Sequence, residues 1–112
     1  DGTCLRDYID VRDLAEAHYL ATEKLMKDNK NLNLFINVGT GKAISVLEIV
    51  KVFFNELQIN FEFIDKGGSK ADPHAVWANT NEFKSIFCWQ PKFTLLDSIK
   101  SYIFRKKYDE EV

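Results

Sequence analysis

The sequence predicts a small α/β fold of few strands and about four helices. Two observations point there: strand-like and helix-like segments alternate through the first half of the chain, and acid-and-hydroxyl capping patterns stand directly before apolar runs of helical period. A third, the length of 112 residues with 46% hydrophobic content, allows one core and argues against two ordinary domains, so residues 1–112 read as a single unit.

The first expected strand is Tyr8 to Val11, approached by the charged pair Arg6-Asp7. Asp13-Leu14-Ala15-Glu16 then reads as a capping box, with a helix running to about Met26 and Leu14, Ala17, Ala21 and Leu25 on its apolar face. The polar turn "KDNKNLN" ends it. "LFINVG" is a continuous apolar run, the pattern of a strand buried on both faces of a parallel sheet. After Gly39-Thr40-Gly41, a second capping box, Ser45 to Glu48, opens the most amphipathic helix, with Val46, Ile49, Val50, Phe53, Phe54 and Leu57 inward.

"INFEFID" alternates like a half-covered strand, and "KGGSKADPH" is a Gly-rich charged loop. "AVWANTNEFKSIF" carries a short strand and a short helix capped at Asn79 or Thr80. A last helix begins at Thr94-Leu95-Leu96-Asp97, with Leu96, Ile99 and Ile103 on its apolar face, and the charged tail "RKKYDEEV" is expected to fray.

Composition narrows the function. A formal net charge of −2 creates no field for polyanions, so nucleic acid is not an expected partner. No apolar run approaches the roughly 20 residues of a membrane span, and the start has no signal-peptide pattern, so a soluble cytoplasmic protein is expected. The two cysteines, Cys4 and Cys88, read as ordinary buried or half-buried thiols. The start at Asp1, without methionine and directly ahead of patterned sequence, suggests part of something longer.

No metal set is expected: His18 has no partner at ligand spacing and reads as a packed or surface histidine. His74, after Asp72-Pro73 in the long loop, reads as a solvated loop histidine with a ligand contact as the alternative. "INVGTGKAIS" has the strand, Gly turn and helix start of a phosphate site, but Ile44 stands where a dinucleotide fingerprint needs its third glycine, and Ala43 where a P-loop needs Ser or Thr. A tight structural turn is expected there. No nucleophile with its base can be assembled, so no catalytic residue is assigned. The remaining candidates are Arg6 with Tyr8 near the start and the loop from Gly67 to Asp72. A guanidinium engages two phosphate oxygens and an aspartate accepts from sugar hydroxyls, a combination suited to a sugar diphosphate.

"GTCLRDYIDVRDLAEAH" closely resembles the "GT…RDYIHVxDLAxAH" segment of the UDP-glucose 4-epimerases, in the extended short-chain dehydrogenase/reductase family. "FINVGTGKAISVLEIV", "ADPHAVWAN" and "CWQPKFTLLDSI" resemble three further segments of that family, in the same order. The resemblance implies a C-terminal, substrate-binding portion of such an enzyme, inactive alone. It implies that Arg6 contacts the diphosphate of a UDP-sugar, Tyr8 shapes the nucleotide pocket, and Asp72 binds the ribose or neighbouring hydroxyls. Arg6, Tyr8, Ser69 and Asp72 are thus the expected substrate-binding residues, although Ser69 stands where the family has the second arginine of its phosphate clamp. Val76 stands where an aromatic sugar contact can stand, and Asp10 in place of a His.

NAD would be held by an N-terminal Rossmann domain that this chain lacks, together with a catalytic Tyr-x-x-x-Lys pair that removes and returns a hydride at C4 of the sugar. Tyr102-x-x-x-Lys106 matches that spacing but lies in the last helix and reads as a surface pair. A homodimer is expected of the whole protein. Two alternatives stand beside this reading: another nucleotide-sugar epimerase or dehydratase of the family, and a non-catalytic binding module, the latter motivated by Ser69 and Val76.

Overall fold

The computed structural model describes residues 2–28, 33–58, 62, 64 and 73–110. In chain order these form β1 Leu5–Arg6, α1 Val11–Lys27, β2 Ile44–Ser45, α2 Val46–Leu57, β3 Ala75–Val76, α3 Asn81–Phe87 and α4 Leu95–Glu110. The α/β class, the four helices and the short strand in "AVWAN" agree with expectation, but the strands are two residues long and β1 and β2 lie elsewhere than expected.

Asp10, not Asp13, opens α1. Its extended backbone and its side chain, which accepts from the Arg12 N–H at 2.8 Å, make it the N-cap. Val11 is therefore the first helical residue, 75% exposed, and the expected Tyr8 to Val11 strand does not form. Asp13 lies inside the first turn, fully buried, and both it and Glu16 bond to the chain leading into α4 rather than to their own helix end. On the inner face Ala17 is buried and Leu14 and Ala21 are half-buried, whereas Leu25 is exposed, contrary to expectation.

The second capping box does form: Ser45 Oγ accepts from the Glu48 N–H at 3.1 Å, and Glu48 accepts from the Ser45 N–H at 2.8 Å. Ile49, Val50, Phe53 and Phe54 are half-buried, Val46 is exposed, and the side chain of Leu57 lies outside the described residues. α2 packs on α4, with Phe53 edge-on to Tyr102 at 6.0 Å. α3 is preceded by Thr80, whose hydroxyl makes no capping bond; Asn79 accepts from the Asn81 N–H instead. Cys88, in the left-handed conformation, closes α3 and is exposed, so only Cys4 matches the expected half-buried thiol.

Thr94 and Asp97 cap α4 reciprocally, and the helix continues through Glu110, past the point where the tail was expected to fray. Its inner face holds Ile99, buried, and Ile103, half-buried; Leu96 is turned outward.

Ala17 of α1, Phe83 of α3 and Trp89 form the core cluster, backed by Ile9, Leu20, Ile36, Val38 and Phe87. Phe83 meets Trp89 edge-to-face at 5.3 Å. Ile36 and Val38 come from the run expected to be a doubly buried strand. Among the described residues nothing pairs with that run, and Phe35 on its other side is 93% exposed, so the strand is not formed. The expected strand over residues 59–65 lies mostly outside the described residues.

The three short strands make one mixed sheet in the order β2-β1-β3. β1 runs antiparallel to β2, with Arg6 opposite Ile44, and parallel to β3, with Arg6 beside Val76. Among the described residues no helix is long and apolar enough to cross a membrane.

Candidate functional site

The central position of β1 decides where Arg6 goes. Strands on both sides hold its backbone, and the N–H of Leu5 donates to the carbonyl of His74 at 2.9 Å, so the chain enters β3 against the start of β1. Residues in register on adjacent strands project to the same face, which places Arg6 beside Val76. Arg6 is half-buried and its Nη1 donates to the Leu5 carbonyl at 2.7 Å, folding the guanidinium back along its own strand. Val76 is 49% exposed and Tyr8, two residues beyond Arg6, is 37% exposed. The structure thus joins Arg6 and Val76 on one sheet face with Tyr8 just past its edge. Ser69 and Asp72, the other two expected contacts, lie outside the described residues.

Between Arg6 and Tyr8, Asp7 does something the sequence did not announce. Its carboxylate accepts from the Thr40 N–H at 2.9 Å, the Gly41 N–H at 2.9 Å, the Ala78 N–H at 3.2 Å and the Thr40 hydroxyl. Burial pushes this carboxyl up, but the four donors outweigh it and hold it below the ordinary aspartate range. The Gly39-Thr40-Gly41 turn is therefore a structural turn, as expected, and its amides are already taken by an internal anion. That arrangement does not fit the pyrophosphate of a dinucleotide, since the donors such a group needs point at Asp7. The only sequence signal was an aspartate in a chain that also carries a Gly-Thr-Gly turn.

Asp10, in the position where the resembling family has a His, is likewise committed. Arg12 donates Nε and Nη2 to its two oxygens at 2.9 and 2.8 Å, and Ser98 of α4 donates at 2.6 Å. The Arg12 guanidinium, held over the Phe93 ring at 3.7 Å, keeps the Asp10 carboxyl well below the usual range. These contacts join α1 to α4 and leave Asp10 a structural role.

His18 is exposed, its Nδ1 2.8 Å from the Leu14 carbonyl, and His74 is exposed at the entry to β3. Tyr102 is 57% exposed and Lys106 is exposed, so the Tyr102-x-x-x-Lys106 pair lies on the outer surface of α4. Among the described residues no group of three His, Cys, Asp or Glu side chains is placed to hold a metal. A groove of about 280 Å³ lies between α1 and α3 and is lined by Ala17, Ala21, Ile36, Val38 and Phe83; Arg6 takes no part in it.

No family model matches the chain. It is 36% identical over 99 residues to the UDP-glucose 4-epimerase of Halalkalibacterium halodurans, a match covering 88% of this chain and 29% of that protein. The UDP-glucose 4-epimerase of Brucella ovis, solved in complex with NAD, is 35% identical with a TM-score of 0.77, over 88% of this chain and 30% of that one. The UDP-glucose-4-epimerase of Stenotrophomonas maltophila, solved with NAD and formylated UDP-arabinopyranose, aligns with all of this chain and 33% of its own at a TM-score of 0.85 and 26% identity. The chain thus spans about 30% of the length of the relatives it matches.

Proposed function

We propose that this chain, which is homologous to part of the UDP-glucose 4-epimerases, contributes UDP-sugar-binding elements to an enzyme interconverting UDP-glucose and UDP-galactose. The observation that carries the reading is the place of Arg6: a guanidinium on the central strand of the sheet, beside a partly exposed Val76 and one residue from the anchored Asp7. A guanidinium can take two oxygens of a diphosphate at once, and Tyr8 offers an aromatic face and a hydroxyl for the uridine. Ser69 and Asp72 precede β3 in the sequence, and Asp72 is assigned the ribose hydroxyls. Val76, an aliphatic side chain beside the guanidinium, makes apolar contact with the hexose in this reading.

The chain carries no catalytic residue in this proposal, and NAD binds to a region outside it; the Thr40 and Gly41 amides of the Gly39-Thr40-Gly41 turn are occupied by Asp7. The whole protein works as a cytoplasmic homodimer. Mixed with UDP-galactose and NAD, the chain alone should give no UDP-glucose, while UDP should perturb the amides of Arg6 and Tyr8 in an NMR titration and uridine should perturb Arg6 far less. Turnover by the chain alone, or equal perturbation of Arg6 by uridine and UDP, contradicts the proposal.

A further inference from the structure

We propose that Asp7 is the positioning residue of the Arg6 and Tyr8 element, its carboxylate acting as a resident anion that sets the register between β1 and β3. The pairing of β1 with β3 is two residues long, Leu5 with Ala75 and Arg6 with Val76. So short a ladder specifies its register poorly, and a slip of one residue would turn Val76 to the opposite face from Arg6. Something outside the ladder has to hold it.

The carboxylate of Asp7 does so from a position bonded to both Arg6 and Tyr8. It reaches the Ala78 N–H, two residues beyond Val76 and 71 residues away in sequence, and with its two oxygens also takes the amides of Thr40 and Gly41, 33 and 34 residues away. Three segments with no covalent reason to meet are stapled at one anion. An ionised carboxylate is an acceptor only, with capacity for all four donors, whereas an amide side chain would aim its own N–H groups at some of them. The surroundings are shaped to the carboxylate: a Cβ on Gly39 would lie 2.5 Å from Asp7 Oδ2 and 2.7 Å from the Ala78 Cβ.

The consequence for ligand affinity rests on the UDP-sugar reading; the positioning itself does not. The test is Asp7→Gly in the 112-residue chain, followed by ¹⁵N–¹H NMR with and without sodium formate, against sodium chloride at equal ionic strength. Loss of the carboxylate should shift the amides of Arg6, Tyr8 and Val76, and formate, small enough to enter the vacated cradle, should return them saturably while chloride does not. Unmoved Arg6, Tyr8 and Val76 amides, or shifts that formate leaves unchanged, overturn the proposal. If Asp7→Gly does not fold, Asp7→Asn, which keeps the shape and one acceptor, should displace the same amides in part; amides at their wild-type positions overturn it.

UDP added to the same samples separates the two ideas. Failure of UDP to bind the wild type, with shifts and formate rescue intact, removes the UDP-sugar reading and leaves Asp7 as the positioning residue. UDP binding to the wild type, with Arg6, Tyr8 and Val76 amides unmoved in Asp7→Gly, removes the positioning role and leaves the UDP-sugar reading.

Discussion

The Phe93 N–H donates to the buried carboxylate of Asp13 at 3.0 Å, and the neighbouring Lys92 N–H donates to the same group at 3.1 Å. Asp13 stands in the first turn of α1 and Phe93 just before α4, so one fully buried side chain ties together segments 80 residues apart. Asp13→Ala strands two backbone donors and should lower stability by about 2–3 kcal/mol. Asp13→Asn, which keeps an acceptor, should cost less. Urea unfolding followed by circular dichroism checks both values; equal, near-zero losses would remove Asp13 from the structural frame.

Acid should destabilise the fold through Asp7 and Asp10. Arg12 is the main cause of the low Asp10 carboxyl, opposed by burial and aided by Ser98; Asp7 is lowered by its Thr40, Gly41 and Ala78 donors against the effect of burial. Both groups hold protons less tightly when folded than when unfolded. Their contribution is therefore fully present above the ordinary aspartate pKa of 3.8 and is lost as pH falls through the lower folded values. Unfolding free energy measured from neutral pH downward should hold until it nears that value and then fall, and Asp10→Asn should make the fall shallower. An unchanged slope in Asp10→Asn would count against this origin.

Gly39→Ala should be costly although alanine is small. The added methyl would sit 2.5 Å from Asp7 Oδ2 and 2.7 Å from the Ala78 Cβ, where something must shift. A loss of about 1–3 kcal/mol is expected, typical of overpacking, with displaced amide resonances at Thr40 and Ala78. A wild-type melting curve for Gly39→Ala would mean that the close approach at this turn is not required.

Helix starts were legible where the capping partner is local. Ser45 with Glu48, and Thr94 with Asp97, each close within one turn, so the residue pattern contains the whole interaction. Asp13 and Glu16 have the same spacing, but their donors are Lys92 and Phe93, and no local pattern records so distant a partner; Asp10 therefore took the cap unforeseen. The strands expected at Tyr8 to Val11 and "LFINVG" were misplaced, because two-residue pairings such as Leu5–Arg6 carry no period and "LFINVG" has the composition of a buried strand but no strand paired with it among the described residues. The short strand in "AVWAN" stands where it was expected, at Ala75–Val76. Arg6 and Tyr8 were singled out by residue type and motif resemblance and Val76 by the resemblance alone; that Arg6 and Val76 stand side by side on the sheet is what the structure adds. Asp7 was not singled out, because three of its four donors are backbone amides far along the chain, which almost any residue type can supply.

The UDP-sugar reading is tested most directly by titrating UDP into the isotopically labelled chain and into Arg6→Ala. Wild type should show saturable amide shifts at Arg6, Tyr8 and Val76, with an affinity on the order of 1 mM, since much of a full-length site lies outside the chain. Arg6→Ala should weaken that binding by about 1.5–3 kcal/mol, enough to abolish saturation in the accessible range. Equal shifts in the two proteins, or none in the wild type at tens of millimolar UDP (roughly ten times that affinity), would contradict the assignment of Arg6 to a diphosphate.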